Sequence, residues 1–218
     1  MGPRSFAFCG ALTRRRPVVS HVDFYFDFSS PFAYLGATQI EAIAERAGAT
    51  LSWKPMFLGG VFKAVDTPMV PFFELSEQKR RYIATDMQRW AKWWDVSFNF
   101  PSQFPMMTVK PLRMCLTLDN PAPFIHRVFA AYWSEGLDIS TDDILAQCCK
   151  EVDLDPALVQ KASDPEVKAK LQAATSEAIE NGVFGAPTSI IDGHVFWGQD
   201  RMDMVEKALG GWVPPVLD

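Results

Sequence analysis

The stretch that most constrains this chain is a strict alternation that runs into a helix start without a linker. Val22, Phe24, Phe26 and Phe28 fall on one side of residues 22–28, and Asp23, Tyr25 and Asp27 on the other. That is the period of a half-buried strand. Ser29-Ser30-Pro31 follows at once. Proline suits the first helical position and serine the one before it, so Ser30 is predicted to be the N-cap. The helix continues through Ala47, with Leu35, Ile40, Ile43 and Ala44 on its buried side, and Gly48 stops it. Thr50–Phe57 reads as a second strand, interrupted by Pro55. Strand, helix and strand in this order make a βαβ unit, so the two strands should be parallel.

From Pro71 to Asn181 the pattern is helical. Tyr82, Ile83, Met87, Trp90 and Trp94 recur at helical spacing within Leu75–Val96. Further helical stretches are Val109–Leu118, Ala122–Ser134, Thr141–Val152, Pro156–Ala162 and Pro165–Asn181, the last behind a Ser163-Asp164 cap. Strand signals return at Thr188–Ile191 and His194–Trp197, joined by Asp192-Gly193, a two-residue hairpin turn. Gly198-Gln199-Asp200-Arg201 opens a last helix through Leu209, ended by Gly210-Gly211. The order is βαβ, helices, ββα. It predicts an α/β domain from residues 22–70 and 182–212, with residues 71–181 as a large helical insertion.

Charge and cysteine usage narrow the function classes. The formal net charge of the 218 residues is −5. The first 20 residues carry Arg4, Arg14, Arg15 and Arg16 and no acid, so the body of the chain is more acidic still. An acidic body argues against a nucleic-acid partner. No apolar stretch approaches the roughly 18 residues that span a bilayer, so no membrane partner is expected. The basic tail fits a transit peptide, or an extension from an upstream start codon. The expected compartment is the cytoplasm, or an organelle if the tail targets one. Cys9, Cys115, Cys148 and Cys149 match neither a metal pattern nor a disulfide framework, and read as reduced thiols.

Several residues have both a structural and a chemical reading. Ser30 can be a plain cap. It also sits where a helix N-terminus offers unpaired N–H groups and partial positive charge to an anion, and a thiolate placed there has its pKa lowered. Pro187, in Ala186-Pro187-Thr188, can be an ordinary loop proline. A cis bond there would turn the Ala186 N–H and C=O toward a peptide-like ligand. Asp200 can cap its helix, or hold a ligand's ammonium. Lys63, Asp66 and Thr67 follow Gly59-Gly60 as a polar, solvated loop. Trp90, Trp93, Trp94, Phe98 and Phe100 read mostly as core, with one edge able to line an apolar pocket. His21, His126 and His194 are scattered, and there is no Gly-rich phosphate loop.

Three segments together resemble a known family. Asp23-Phe24-Tyr25-Phe26-Asp27-Phe28-Ser29-Ser30-Pro31-Phe32-Ala33-Tyr34-Leu35 is similar to the opening of 2-hydroxychromene-2-carboxylate isomerases. Gly182-Val183-Phe184-Gly185-Ala186-Pro187-Thr188 resembles their cis-proline segment, and Phe196-Trp197-Gly198-Gln199-Asp200-Arg201-Met202 their last motif. These enzymes are relatives of kappa-class glutathione transferases in the DsbA-like branch of the thioredoxin superfamily. The resemblance covers about residues 22–212 and implies a thioredoxin-like fold with the helical insertion.

It implies function residue by residue. Ser30 and Ala33 stand where DsbA-like oxidoreductases place their cysteines. Neither is a thiol, so disulfide exchange at this site is excluded. Ser30 would instead hydrogen-bond the sulfur of bound glutathione, the implied cofactor, with Pro31 and Phe32 beside it. Ala186, before Pro187, would pair with the glutathione backbone, and Gln199 and Asp200 would hold its γ-glutamyl end. Thr67 fills the place of a glutathione-contacting asparagine, a departure that weakens the analogy in that loop. The implied reaction isomerises a small aromatic carboxylate of the 2-hydroxychromene-2-carboxylate type, with Lys63 as partner of the substrate carboxylate. A kappa-like transferase or peroxidase and a non-enzymatic thioredoxin-like binding module are the alternatives. The resemblance also implies a homodimer.

Overall fold

The computed structural model describes residues 20–215. The basic tail and Cys9 fall, but for Ser20, outside the described residues. The chain opens with β1 (His21–Phe26), α1 (Pro31–Ala47), β2 (Thr50–Pro55) and α2 (Leu58–Ala64). The helical block holds α3 (Glu77–Trp93), α4 (Val109–Cys115), α5 (Ala122–Trp133), α6 (Asp142–Glu151), α7 (Leu158–Lys161) and α8 (Pro165–Glu180). The chain closes with β3 (Thr188–Ile191), β4 (His194–Trp197) and α9 (Met202–Leu209). Short 3-10 turns precede α3 at Pro71–Glu74 and α9 at Gln199–Arg201.

The four strands form one mixed sheet in the order β2-β1-β3-β4. β1 pairs in parallel with β2, Phe24 opposite Trp53, and antiparallel with β3, Phe24 opposite Ser189. Pro55 ends β2, an edge strand, where a missing N–H leaves no ladder partner wanting. The β3–β4 hairpin turns at Asp192 and Gly193, both with positive φ (48° and 82°), as a type I′ turn requires.

The alternation in β1 does not mean one dry and one wet face. Val22, Phe24 and Phe26 are buried, but so are Tyr25 and Asp27. β1 lies inside the sheet, and helices cover both of its faces. Phe26 and Phe28 meet Phe129 of α5 at 5.8 and 4.8 Å. On the other side the Tyr25 hydroxyl accepts from Asn181 Nδ2, just past α8 (3.0 Å). The strand also stops at Phe26, so Asp27 to Ser30 form the turn into α1.

α2 replaces the loop expected after Gly59-Gly60. Glycines disfavour helix, but a side chain at Gly60 would put a Cβ 3.0 Å from Thr175 Cγ2. The glycine therefore lets α2 lie close against α8. Thr175 Oγ1 accepts from the Phe57 N–H (3.0 Å) at the entry to α2. The aromatic run is also less buried than the sequence suggests. Trp93 is 79% exposed and Phe100 37%, while Trp90, Trp94 and Phe98 only flank the core. The buried anchor is Trp133 of α5, whose Nε1 donates to Phe28 O (2.8 Å) and whose ring stacks on Phe98. One hydrophobic core runs from the strands through α5 to the other helices of the insertion.

Candidate active site

Ser30 sits where the β1–α1 turn hands over to the helix. Its extended backbone (φ −96°, ψ 116°) makes it the N-cap, and its Oγ accepts from the Ala33 N–H (3.1 Å). No acid lies in the first turn of this 17-residue helix, so its positive end is not neutralised from within. The Ser30 hydroxyl donates to Ala186 O (2.9 Å), across 156 residues of sequence. Two segments read separately in the sequence thus meet at one oxygen. The Ala186–Pro187 bond is cis. No partner for the Ala186 N–H is found among the described residues. Pro187 lies behind this contact, its Cγ within 3.2 Å of the position a Cβ on Gly36 would take.

Ser30 opens onto a cavity of about 360 Å³. Pro31, Phe32, Thr67 and Ala186 line it, as do Ser29 and Trp197. Phe62, Phe72, Phe100, Phe104 and Phe184 supply aromatic walls. Gly185 is glycine for lack of room, since a Cβ there would stand 2.4 Å from Trp197 Nε1. Lys63 is exposed on α2 and does not line the cavity, although Leu58 and Phe62 of the same helix do.

Past Phe32, Ala186 and Trp197 the cavity continues into a smaller pocket of about 230 Å³. Gln199, Asp200, Arg201 and Asp86 line it. Gln199 is buried and its Oε1 has no hydrogen-bond partner. Asp200 is exposed and pairs with Arg201 (2.8 Å). Asp86 accepts from Trp90 Nε1 (3.1 Å). Three oxygen acceptors therefore converge where the sequence suggested an ammonium site at Gln199 and Asp200.

Asp27 is the residue behind the site that the sequence did not single out, because alternation put it on a polar face. It is 1% exposed. Its Oδ1 accepts from Ser29 N (2.9 Å) and Thr108 Oγ1 (2.6 Å), and its Oδ2 from Leu58 N (2.8 Å). One carboxyl thus joins the Ser29-Ser30 turn, the start of α2 and the segment behind Phe104. Burial raises its pKa, opposed by these hydrogen bonds. The chain's own described thiols are poor nucleophiles by comparison. Burial pushes Cys148 and Cys149 up to about 11 and raises Cys115 further. No group of His, Cys, Asp and Glu suited to a metal ion occurs among the described residues, and no helix there is long and apolar enough to cross a membrane.

The chain is similar to known proteins along almost its full length. Residues 21–210 match the model of the DSBA-like thioredoxin domain. A 2-hydroxychromene-2-carboxylate isomerase of Sphingobium xenophagum is 30% identical over 200 residues, spanning 86% of this chain and 97% of that protein. The glutathione S-transferase kappa 2 of Caenorhabditis elegans is 29% identical, spanning 86% and 91%. The solved structure of a 2-hydroxychromene-2-carboxylate isomerase superposes with a TM-score of 0.79 at 28% identity, covering 87% of this chain and 94% of the other.

Proposed function

Because the chain belongs to the 2-hydroxychromene-2-carboxylate isomerase family of DSBA-like thioredoxin domains, we propose that it is a glutathione-dependent isomerase of small conjugated aromatic compounds, with Ser30 as the sulfur-holding residue. The observation that carries this reading is the Ser30 hydroxyl, held at an unneutralised helix N-terminus against Ala186 O and open to an apolar cavity.

The residues present suit glutathione. The hydroxyl and the helix end suit a thiolate, and the unpaired Ala186 N–H suits a peptide C=O. The orphan Gln199 Oε1 beside Asp200 suits an ammonium. When bound, glutathione supplies a sulfur nucleophile that adds to a conjugated double bond and leaves after rotation about it, so it is regenerated. Ser30 holds negative charge at the sulfur, each unit of pKa lowering being worth about 1.4 kcal/mol. The Ala186 peptide fixes the ligand backbone, and Gln199 and Asp200 hold its far end. Pro31, Phe32 and Thr67 shape the wall nearest the sulfur. The aromatic walls exclude water and orient the acceptor ring. Lys63 itself stands outside the cavity lining, next to Phe62, which lines it.

A kappa-like transferase is the second reading. It uses the same thiolate and is favoured by the similarity to the nematode kappa protein. The family likeness also supports a homodimer, which sedimentation of the full chain checks. The deciding experiment follows the ultraviolet spectrum of 2-hydroxychromene-2-carboxylate with the full chain. Conversion that needs only catalytic glutathione, and fails with Ser30→Ala, supports the isomerase. Glutathione binding without conversion, but with consumption of glutathione on another electrophile, supports the transferase. Glutathione binding that is untouched by Ser30→Ala, with no turnover, leaves a binding module.

A further inference from the structure

Three segments distant in sequence wall the cavity beside Ser30. They are residues 29–32, α2 through Leu58 and Phe62, and Phe104-Pro105 of the insertion. Asp27 is not among the lining residues and is 1% exposed, yet each segment gives it a hydrogen bond. Ser29 N donates from the turn (2.9 Å), Leu58 N from the start of α2 (2.8 Å) and Thr108 Oγ1 from just past Phe104-Pro105 (2.6 Å).

The two far donors are arranged for this carboxyl. Leu58 is the first residue of α2, and Phe57 before it makes no side-chain cap bond. Asp27 supplies that cap from 31 residues away. Thr108 precedes α4, where a threonine commonly caps, but its hydroxyl makes no cap bond there and is given to Asp27 instead. Burying a carboxyl is costly unless its oxygens are bonded. Here each bond also fixes a different segment, so the walls that carry Phe62 and Phe104 are tied to the turn that carries Ser30. Catalysis is sensitive to such ties, because about 1 Å of misplacement between reacting groups can cost a hundredfold in rate. Resting on the reading of Ser30 as the sulfur site, we propose that Asp27 is a positioning residue. It sets the aromatic walls relative to Ser30, and so aligns the acceptor with the sulfur while touching neither.

Thr108→Val tests this tie with little change of shape, since it removes one donor to Asp27 and no cap bond of α4. Turnover per bound glutathione is followed in the full chain with 2-hydroxychromene-2-carboxylate and with a general electrophile, 1-chloro-2,4-dinitrobenzene. On whichever probe the parent turns over, Thr108→Val should lower kcat about tenfold, with glutathione affinity and thiolate absorbance within about twofold of the parent. Thr108→Ser keeps the hydroxyl and should restore kcat to within about threefold. Asp27→Asn should lower kcat at least as far, and adding Thr108→Val to it should cost no more than about twofold further, because both act on one carboxyl. A defect of folding alone would lower the amount of bound glutathione and leave kcat per site unchanged. An unchanged kcat in Thr108→Val, a loss that Thr108→Ser does not recover, or losses that add in the double variant would each overturn the inference. So would a fall of thiolate absorbance in step with kcat, which puts the effect at the sulfur. A parent chain that shows no thiolate absorbance with glutathione, or turns over neither probe, removes the Ser30 reading and this inference with it. Thiolate absorbance and turnover in the parent, joined to any of the earlier outcomes, remove the positioning role alone.

Discussion

At Ser30 one hydroxyl caps α1 and, on the proposed reading, would also donate to a sulfur, and the two duties can be told apart by size of effect. Ser30→Ala removes the bond from the Ala33 N–H and the bond to Ala186 O, which together cost about 2–3 kcal/mol of stability. The effect on turnover should be about a hundredfold or more, as for loss of one preorganised donor to a charged centre. Denaturant unfolding and steady-state kinetics on the same preparation separate the two. Asp27 gives a second residue-level expectation. A raised folded-state pKa means the folded chain holds a proton that the unfolded chain releases above the ordinary value of 3.8. The associated stability is present below that value and is lost as pH rises through the folded pKa. Asp27→Asn cannot titrate and offers an N–H₂ where one of three donors points. It should cost about 1–3 kcal/mol, with the deficit greatest near pH 4 and narrower at pH 8. Unfolding curves at the two pH values check the sign. Ser30 was legible because capping is local. Asp27 was not, since its partners Leu58 and Thr108 lie 31 and 81 residues away.

Among the elements, those with local punctuation were readable. α1 carries a serine cap, a proline and a left-handed glycine stop, Gly48 at φ 63°. The hairpin carries Asp192-Gly193. α2 was hidden because its two glycines serve close packing, Gly60 against α8 and Gly59 against Phe57 and Met69, and not its own propensity. The insertion's link to the site was hidden for the same reason, since only tertiary contact shows that Trp133 supports it. Its indole donates to Phe28 O and packs against Phe100 and Phe104, two walls of the cavity. Trp133→Phe leaves that carbonyl unpaired and opens space beneath the wall. The expected loss is about 2–4 kcal/mol, with a raised KM for the aromatic substrate. Thermal unfolding and the KM-against-kcat split read both effects.

For the whole molecule, the division into an α/β domain and an insertion describes chain order more than mechanical independence. The same buried cluster includes Phe24 of β1, Leu145 of α6 and Val205 of α9. The chain should therefore unfold in one transition, with coincident fluorescence and far-ultraviolet signals. A ligand that binds only the folded chain adds about 2.7 kcal/mol at a hundred times its Kd. At this size that raises Tm by roughly 5–10 °C. Glutathione should do so for the parent chain and less for Ser30→Ala, a comparison that needs no substrate.

If Ser30 holds a ligand sulfur as proposed, its bond to Ala186 O would make recognition of sulfur and recognition of backbone a single exchange. When the hydroxyl turns to a thiolate, the carbonyl it leaves must find another donor. A cysteinyl N–H provides one, and the count of hydrogen bonds is conserved. A simple mercaptan has no such group, so taking up its sulfur would strand a buried carbonyl. On the proposed reading the site would work as a two-key lock, opening for a thiol only when the thiol arrives attached to a peptide.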